Sequence, residues 1–224
     1  MDFSKEKSGM NIFALDVNST TWAKWHVDRH VVKMRVESCQ LLISAMHRLR
    51  VITNAKQLKI AYNATDYMKY FADFPRKNAD GSPNPYGIGY VHHPCCKWAA
   101  ESLSNFNYLL ELGIGLCKEH EYRFGLLCED QKCYEILLWI QKAKSKLYDL
   151  FPHFGLTVFA QAIDERLKVQ GGHFYQVTQA YRQYYRECKK HLHVWTKREV
   201  PKFITDSDKV YDSTTEEVDL SAHN

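Results

Sequence analysis

Apolar residues recur at helical spacing from Trp22 to about Val51 and predict one long helix. Two apolar stripes lie on this helix, because successive residues of an α-helix are rotated by about 100°. The first stripe contains Trp25, Val32, Val36, Ile43 and Met46, and the second contains Val27, Val31 and Met34. A helix that is apolar around much of its circumference is normally buried. The pattern therefore predicts a central helix with the other elements packed around it.

Helical spacing also appears in four further stretches, and no stretch shows the strong alternation of a half-buried strand. These helical stretches are 64–74, 95–124, 129–150 and 175–191. Pro75 and Pro152 end the helices that precede them, whereas Pro94 suits the first turn of the helix that follows. The Gly- and Pro-rich loop 75–93 and the segment 152–173 are predicted to be irregular.

Together these patterns predict a mainly α fold, a single-domain helical bundle with one long central helix. Asn11–Asp16 is at most a short N-terminal extended segment. The predicted organisation is a flexible extension at 1–9, one helical domain at 10–203 and an acidic, disordered tail at 204–224. The chain has 224 residues, of which 45% are hydrophobic, enough for one sizeable core. No apolar run approaches the roughly 18 residues that cross a bilayer, so no membrane is expected as a partner.

Charge is unevenly distributed along the chain. The formal net charge is +4, and the tail from Ile204 to Asn224 holds six acidic residues against one lysine. With the tail's charge of −5 set aside, residues 1–203 carry +9. This surplus favours an anionic partner, DNA or a nucleotide. The tail either shields a basic groove or is simply a solvated end.

The cysteines and the amino terminus bear on the cellular compartment. The seven cysteines form no pairwise framework, and the first residues contain no apolar signal region. The chain is therefore predicted to be intracellular, with reduced thiols.

A line of polar residues runs along one face of the predicted central helix. It consists of His26, His30, Lys33 and Glu37, with Gln40 beside them. Burial of two imidazoles, an ammonium and a carboxylate is costly unless they satisfy one another or bind a ligand. Functional sites often contain such groups. The line is thus either an active centre or a buried structural network.

Two chemical interpretations of this line remain open. His26 and His30 are spaced i and i+4, which lets two imidazoles reach one metal ion. However, Lys33 opposes a cation, and Glu37 lies about 10 Å further along the helix axis. No cofactor is therefore predicted, and a divalent metal is kept as the alternative. Without a metal, Lys33 pairs with Glu37 and binds phosphate or acts as a nucleophile, while His30 or Glu37 acts as a general base.

A second cluster, His92-His93-Pro94-Cys95-Cys96, follows the Gly- and Pro-rich loop and begins a helix. Histidines at a helix N-terminus suit an anion that the helix end also attracts. We expect His93 in the catalytic centre and His92 in contact with the substrate. In the metal alternative, one of these two histidines completes a site with His26 and His30.

The last predicted helix interleaves aromatic and basic side chains. Its Arg182, Arg186 and Lys189 are predicted to hold phosphate, since basic side chains bind phosphate and aromatic faces stack on bases. Core tyrosines beside a solvated basic face would give the same pattern. The other residues predicted to bind substrate are Gln40, His92, Trp98, Asn105 and Arg123. For Trp98 and Asn105, hydrogen bonding within the core is the alternative.

Several separated segments resemble a family of small proteins encoded by tailed bacteriophages. The resembling segments are Asn11-Ile12-Phe13-Ala14-Leu15-Asp16, His26-Val27-Asp28-Arg29-His30-Val31-Val32-Lys33-Met34 with Glu37 and Gln40, His93-Pro94-Cys95 with Trp98, Ser102 and Asn105, Arg123, Leu156-Thr157-Val158-Phe159-Ala160-Gln161-Ala162, and Ala180-Tyr181-Arg182-Gln183-Tyr184-Tyr185. The resemblance covers about residues 10–203 and implies no particular reaction. It does imply a phage protein in the cytoplasm of the infected bacterial host, where DNA is commonly modified, repaired or degraded.

The sequence thus predicts an enzyme that acts on DNA or its nucleotides at a base or glycosidic bond. General acid/base chemistry at the polar line would carry base excision or modification. One alternative is a non-enzymatic module that binds nucleic acid or a host protein. The other is a metal-dependent phosphoester hydrolase. Walker, dinucleotide-binding GxGxxG and GxSxG motifs are absent, and the sequence does not predict an oligomeric state.

Overall fold

A computed structural model describes residues 9–51 and 70–205 of the chain. The α-helices in these ranges are α1 (Ser19–Trp25), α2 (Asp28–Val51), α3 (Pro94–Glu101), α4 (Leu103–Phe124), α5 (Lys132–Ala143), α6 (Phe174–Cys188) and α7 (Lys202–Thr205). Short 3-10 helices occur at Ile88–Tyr90, Cys128–Asp130, Lys144–Leu150, Glu165–Leu167 and Lys190–Leu192. The described residues contain no β-strand, which confirms the predicted mainly α fold.

Helix α2 lies at the centre of the domain, as its apolar circumference predicts. It packs against α3, α4 and α5, and α4 also packs against α1. Gly113 of α4 permits the closest approach, because a Cβ there would lie 2.9 Å from Leu137 of α5 and 3.0 Å from Ser38 of α2. Three helices therefore meet at one point with no side chain of α4 between them.

The predicted continuous helix from Trp22 to Val51 is wrong, because the chain breaks between α1 and α2. The carbonyls at the end of α1 accept hydrogen bonds from distant side chains instead of continuing the helix. Arg123 donates to the carbonyls of Lys24 (2.8 Å) and His26 (2.9 Å), and Trp195 donates to that of Trp25 (3.0 Å). The end of a helix leaves backbone carbonyls without partners. Here side chains from α4 and from the chain beyond α6 pair with them.

Other predicted helices are also divided or shortened. The stretch 95–124 is broken at Ser102, whose hydroxyl caps α4 by accepting from the backbone N–H of Asn105 at 3.0 Å. The stretch 129–150 is α-helical only over Lys132–Ala143 and continues as the 3-10 helix Lys144–Leu150. The last predicted helix ends at Cys188, three residues before its predicted end at 191.

The segment Asn11–Asp16 is irregular and mostly buried, not an extended strand. The Asn11 carboxamide holds it, accepting from the backbone N–H groups of Ile12 (2.7 Å) and Phe13 (2.9 Å) and donating to the carbonyl of Ala162 (2.7 Å). Phe13 adopts a φ of 44°, a left-handed conformation that is rare for an aromatic residue. Buried contacts therefore compensate for a strained backbone at this point.

Some predictions fall on residues that the structure does not describe. The extension at 1–9, except Gly9, and positions 64–69 of the predicted helix 64–74 lie outside the described residues. Residues 70–74 are not helical, so the end of that predicted helix is wrong. The predicted tail begins too early, since Ile204 and Thr205 belong to α7, and its remainder from 206 lies outside the described residues. None of the described helices combines the length and the apolar character needed to cross a membrane.

Candidate active site

A cleft of about 1840 Å³ opens where the first turns of α2 meet the end of α6. The segments that line it are 9–13 before α1, 28–33 of α2, 162–166, and 184–192 at and beyond the end of α6. His93 and Phe124 complete the wall. Of the predicted catalytic residues, His30, Lys33 and His93 line this cleft, whereas His26 and Glu37 do not.

His30 is held by a buried tyrosine that fixes its tautomer. Its Nδ1 is hydrogen bonded to the hydroxyl of Tyr185. No other acceptor for this buried hydroxyl is found among the described residues, so we assign the phenolic hydrogen to Nδ1. Burial raises the pKa of Tyr185 well above its usual value, which keeps that hydrogen in place. The proton of His30 is therefore assigned to Nε2.

The environment of His30 keeps its imidazole neutral. Burial lowers the pKa of His30 to about 2, and the positive charges of Lys33 and Lys189, together with that of His26 when it is protonated in acid, add to the shift. The ring of Phe13 stacks on the imidazole with centroids 4.2 Å apart. His30 therefore lines the cleft as an imidazole that carries no charge.

Lys33 and Glu37 form the predicted i,i+4 ion pair, with Nζ 2.9 Å from Oε1. The second carboxylate oxygen of Glu37 accepts from the backbone N–H of Asn11 at 3.4 Å. Burial raises the pKa of Glu37, and the contact with Lys33 opposes that rise. Glu37 is buried behind the ammonium, which is half-buried at the cleft wall. This arrangement fits a carboxylate that positions Lys33 and does not fit the predicted role of Glu37 as a general base.

His26 lies in the turn between α1 and α2 and is fully buried. Its Nδ1–H donates to the carbonyl of Trp22 at 2.9 Å, and burial lowers its pKa to about 4. Nε2 has no hydrogen-bond partner among the described residues. Although the helix breaks between them, the rings of His26 and His30 remain neighbours, with centroids 6.2 Å apart. Within 9–51 and 70–205, no group of three or more His, Cys, Asp and Glu residues is arranged to hold a metal ion.

His93 reaches the cleft as the N-terminal cap of α3. Its Nδ1 accepts from the backbone N–H of Cys95 at 3.2 Å. Burial lowers the pKa of His93, while a hydrogen bond to the backbone of Met10 opposes the shift. Nδ1 thus caps α3 itself, and the contact with Met10 joins α3 to the segment before α1. His92 is exposed and is not part of the cleft wall.

Three predicted substrate-binding residues are used inside the protein instead. The indole of Trp98 donates to the carbonyl of Thr157 (3.2 Å), and Asn105 donates to the side-chain oxygen of Thr157 (2.7 Å). Arg123 is 2% exposed and donates to Glu119 (2.7 Å), to Asp28 (2.8 Å) and to the end of α1. The donors of these side chains are already satisfied within the protein. Their hydrogen bonds fix the irregular segments around the site.

The basic residues of α6 are similarly divided. Arg182 donates to the carbonyl of Leu15 at 2.8 Å and stacks over Trp25, and Arg186 donates to the carbonyl of Phe203 at 3.0 Å. Neither arginine lines the cleft, so the predicted phosphate contacts do not form there. Lys189 does line it. Gln40 is half-buried on α2 and lies outside the cleft wall.

The structure adds residues that sequence reasoning missed as site residues. Tyr185 and Phe13 orient His30, and Arg29 and Lys190 place further cations at the cleft. Arg29 directly precedes His30 in the sequence. Its position beside the predicted site residues was therefore the signal that could have identified it. Phe13 had none, because its contact depends on an irregular segment with a positive φ.

Positive charge predominates in the cleft. Among the described residues, its wall contains five Lys and Arg side chains against three Asp and Glu side chains. The cations are Arg29, Lys33, Arg166, Lys189 and Lys190. The first turn of α2 adds the positive end of a helix dipole. Arg166 is paired with Glu187 (3.0 Å) and Asp164 (3.3 Å), so the remaining cations are grouped around His30.

Comparison of the chain with protein-family models, curated proteins and solved structures gave no match. The similarity to tailed-phage proteins therefore remains a prediction from the motifs in the sequence.

Proposed function

We propose that the chain is an enzyme acting on DNA or its nucleotides at a base or glycosidic bond, with this cleft as its active site. The observation that carries the proposal is His30, a neutral imidazole that is bound to Tyr185 through Nδ1 and lines a basic cleft. We assign its Nε2–H to the substrate. A neutral donor next to several cations suits a substrate that combines phosphate with a hydrogen-bonding base.

The chemistry proposed for His30 is stabilisation of charge on the base. When a glycosidic bond breaks, the departing base takes the bonding electrons and becomes more negative. A neutral imidazole N–H placed at that base stabilises the developing charge, as an electrophilic histidine does elsewhere. This role replaces the general base of the sequence prediction, because a pKa of about 2 makes His30 a poor proton acceptor near pH 7.

Binding of the sugar and phosphate is assigned to the cations of the wall. Lys33, oriented by Glu37, and Lys189 lie close enough to His30 to shift its pKa. Exposed apolar side chains of Val32 and Phe124 line the same cleft and supply contact for the face of a base. The cleft therefore offers separate surfaces for the charged and the aromatic parts of a nucleotide.

Attack by water needs a carboxylate that orients it. Asp28 is already bound to Arg123 and to Thr196, whose hydroxyl donates to it at 2.7 Å. Asp164 and Glu187 are the other two carboxylates of the wall, and both pair with Arg166. We assign the orientation of water to one of these two residues.

A binding module without catalysis is the second candidate, because the same cations would hold nucleic acid whether or not a reaction followed. Incubation of the purified chain with single-stranded DNA, duplex DNA and free nucleotides, containing ordinary and modified bases, separates the two. Mass spectrometry should detect a free base together with an equal amount of abasic product. DNA that is bound but recovered intact in every mixture favours the binding module. A chain that neither binds DNA nor releases a base would contradict both candidates.

A further inference from the structure

Three cysteines from different helices meet near the close contact at Gly113. Cys39 follows Ser38 on α2, Cys117 lies one turn beyond Gly113 on α4, and Cys133 lies one turn before Leu137 on α5. The approach of Ser38 and Leu137 to Gly113 brings these three positions together. The side chains of Cys39 and Cys117 both lie close enough to that of Cys133 to affect its ionisation, and Sγ of Cys39 lies 3.4 Å from the carbonyl oxygen of Cys133.

The three thiols differ in their surroundings. Cys39 and Cys117 are buried, whereas Cys133 is half-buried and reachable from solvent. The thiol of Cys39 also contacts the carbonyls of Arg35 (3.3 Å) and Cys133 (3.4 Å). Among the contacts described, the thiol of Cys117 has no carbonyl partner that would compete for its hydrogen. Cys117 is therefore the neighbour left to interact with the sulfur of Cys133.

The electrostatics favour the ionised form of Cys133. Hydrogen bonds from Cys117 and then Cys39 lower the pKa of Cys133, burial opposes this, and the positive charge of Arg35 adds to it. Arg35 is held in place by Gln131, whose carboxamide oxygen accepts from it at 2.8 Å. A cysteine with thiolate character and access to solvent is the kind that peroxide oxidises.

We propose that Cys133 is a peroxide-reactive cysteine and that Cys117 converts its oxidised form into a disulfide between α4 and α5. The sulfur of Cys133 attacks one oxygen of a hydroperoxide, the O–O bond breaks, and hydroxide (or alkoxide) leaves with the electron pair. Cys133 becomes a sulfenic acid. The sulfur of Cys117 then attacks it, the S–O bond breaks, and the thiol proton leaves with the oxygen as water.

The test is a map of cysteine oxidation in the unmodified full-length chain. Samples treated with increasing hydrogen peroxide are blocked with iodoacetamide, digested and analysed by mass spectrometry. We expect a peptide cross-link between Cys117 and Cys133 to form at least about tenfold faster than Cys128 is oxidised. Cys128 is a matched internal control, because it is half-buried but burial and Glu121 raise its pKa to about 12.

Variants identify the order of the two steps. In Cys117→Ser, dimedone should trap a sulfenic acid at Cys133, whereas Cys128→Ser should form the cross-link as the unmodified chain does. Persistence of both Cys117 and Cys133 as free thiols while Cys128 or Cys188 is oxidised would overturn the proposal. A cross-link from Cys133 to Cys39 would overturn the role of Cys117. The map of the unmodified chain decides these points even if a variant fails to fold.

Discussion

At the scale of single residues, three buried histidines are all neutral but have different roles. Burial lowers the pKa of His26 and of His47 to about 4 and that of His30 to about 2. His26 and His47 donate to backbone carbonyls, whereas His30 is bound to Tyr185 and lines the cleft. Under the proposed function, its remaining donor is left for a substrate.

These histidines predict loss of stability in mild acid. In the unfolded chain a histidine binds its proton near pH 6.5, but in the folded chain each stays neutral to a lower pH. The unfolded state therefore binds more protons, so stability is complete above pH 6.5 and falls below it. The expected loss is about 1.4 kcal/mol per pH unit for each histidine down to its folded pKa.

Urea unfolding followed by circular dichroism between pH 7.5 and pH 5 measures this loss. His47→Gln keeps a donor for the carbonyl of Tyr86 and should reduce the slope by the contribution of one histidine, up to about 1.4 kcal/mol per pH unit. A free energy of unfolding that does not change over this range would contradict the assignment of neutral histidines.

Helical spacing was informative about single residues only where the helix is continuous. Within α2 it placed Lys33 beside Glu37 and on the same side as His30. It placed His26 there too, but the chain breaks before Asp28 and His26 turns into the core. Spacing along one helix identifies a face, but the partner that covers this face comes from elsewhere in the chain.

At the scale of elements, helix breaks separate the observed fold from the predicted one. Local signals support a helix through residues 22–51, yet Arg123 and Trp195 bind the carbonyls of residues 24–26 from about 97 to 170 positions away. Sequence periodicity does not contain such distant pairings. By contrast, the start of α3 at Pro94 and the buried centre of α2 follow from local chemistry and were predicted.

Arg123 is expected to be among the largest single contributors to the junction of α1, α2 and α4. Arg123→Met should lower the free energy of unfolding by about 3–5 kcal/mol, because it leaves the carbonyls of Lys24 and His26 without this partner and removes one of the two arginines that bind buried Glu119. Arg166→Met is the matched control, since its ion pairs are exposed and should contribute less than about 1 kcal/mol. Urea titration of both variants measures the difference, and equal losses would contradict this account of the junction.

At the scale of the whole molecule, the fold concentrates the basic charge of the chain. Composition predicted a surplus of positive charge on residues 1–203 but not its position. The first turns of α2 meet the end of α6, which brings Arg29 and Lys33 together with Lys189 and Lys190. Arg182 and Arg186, which looked equally suited to phosphate, lie on the side of α6 that holds α7 and the N-terminal segment.

This concentration predicts salt-dependent binding of DNA through the cleft. Lys190→Ala should weaken binding and reduce the slope of log affinity against log salt by about one unit. Lys132→Ala on α5 is the control, because that exposed lysine lies outside the cleft and pairs with Glu135 at 2.6 Å. Fluorescence anisotropy over a salt series gives both slopes. Equal slopes for the two variants would place the DNA elsewhere.

The central claim is that the Nε2–H of His30 takes part in chemistry on a bound base. His30→Asn keeps an acceptor for Tyr185 in place of Nδ1, but its shorter amide has no donor at the position of Nε2. His47→Gln alters another buried histidine on the same helix. The decisive measurement is the single-turnover rate of base release for these variants and the unmodified chain, with DNA affinity and folding checked in parallel. We predict a loss of at least about 100-fold for His30→Asn with affinity retained, and an unchanged rate for His47→Gln. Release by His30→Asn at the unmodified rate would contradict the assignment of the site.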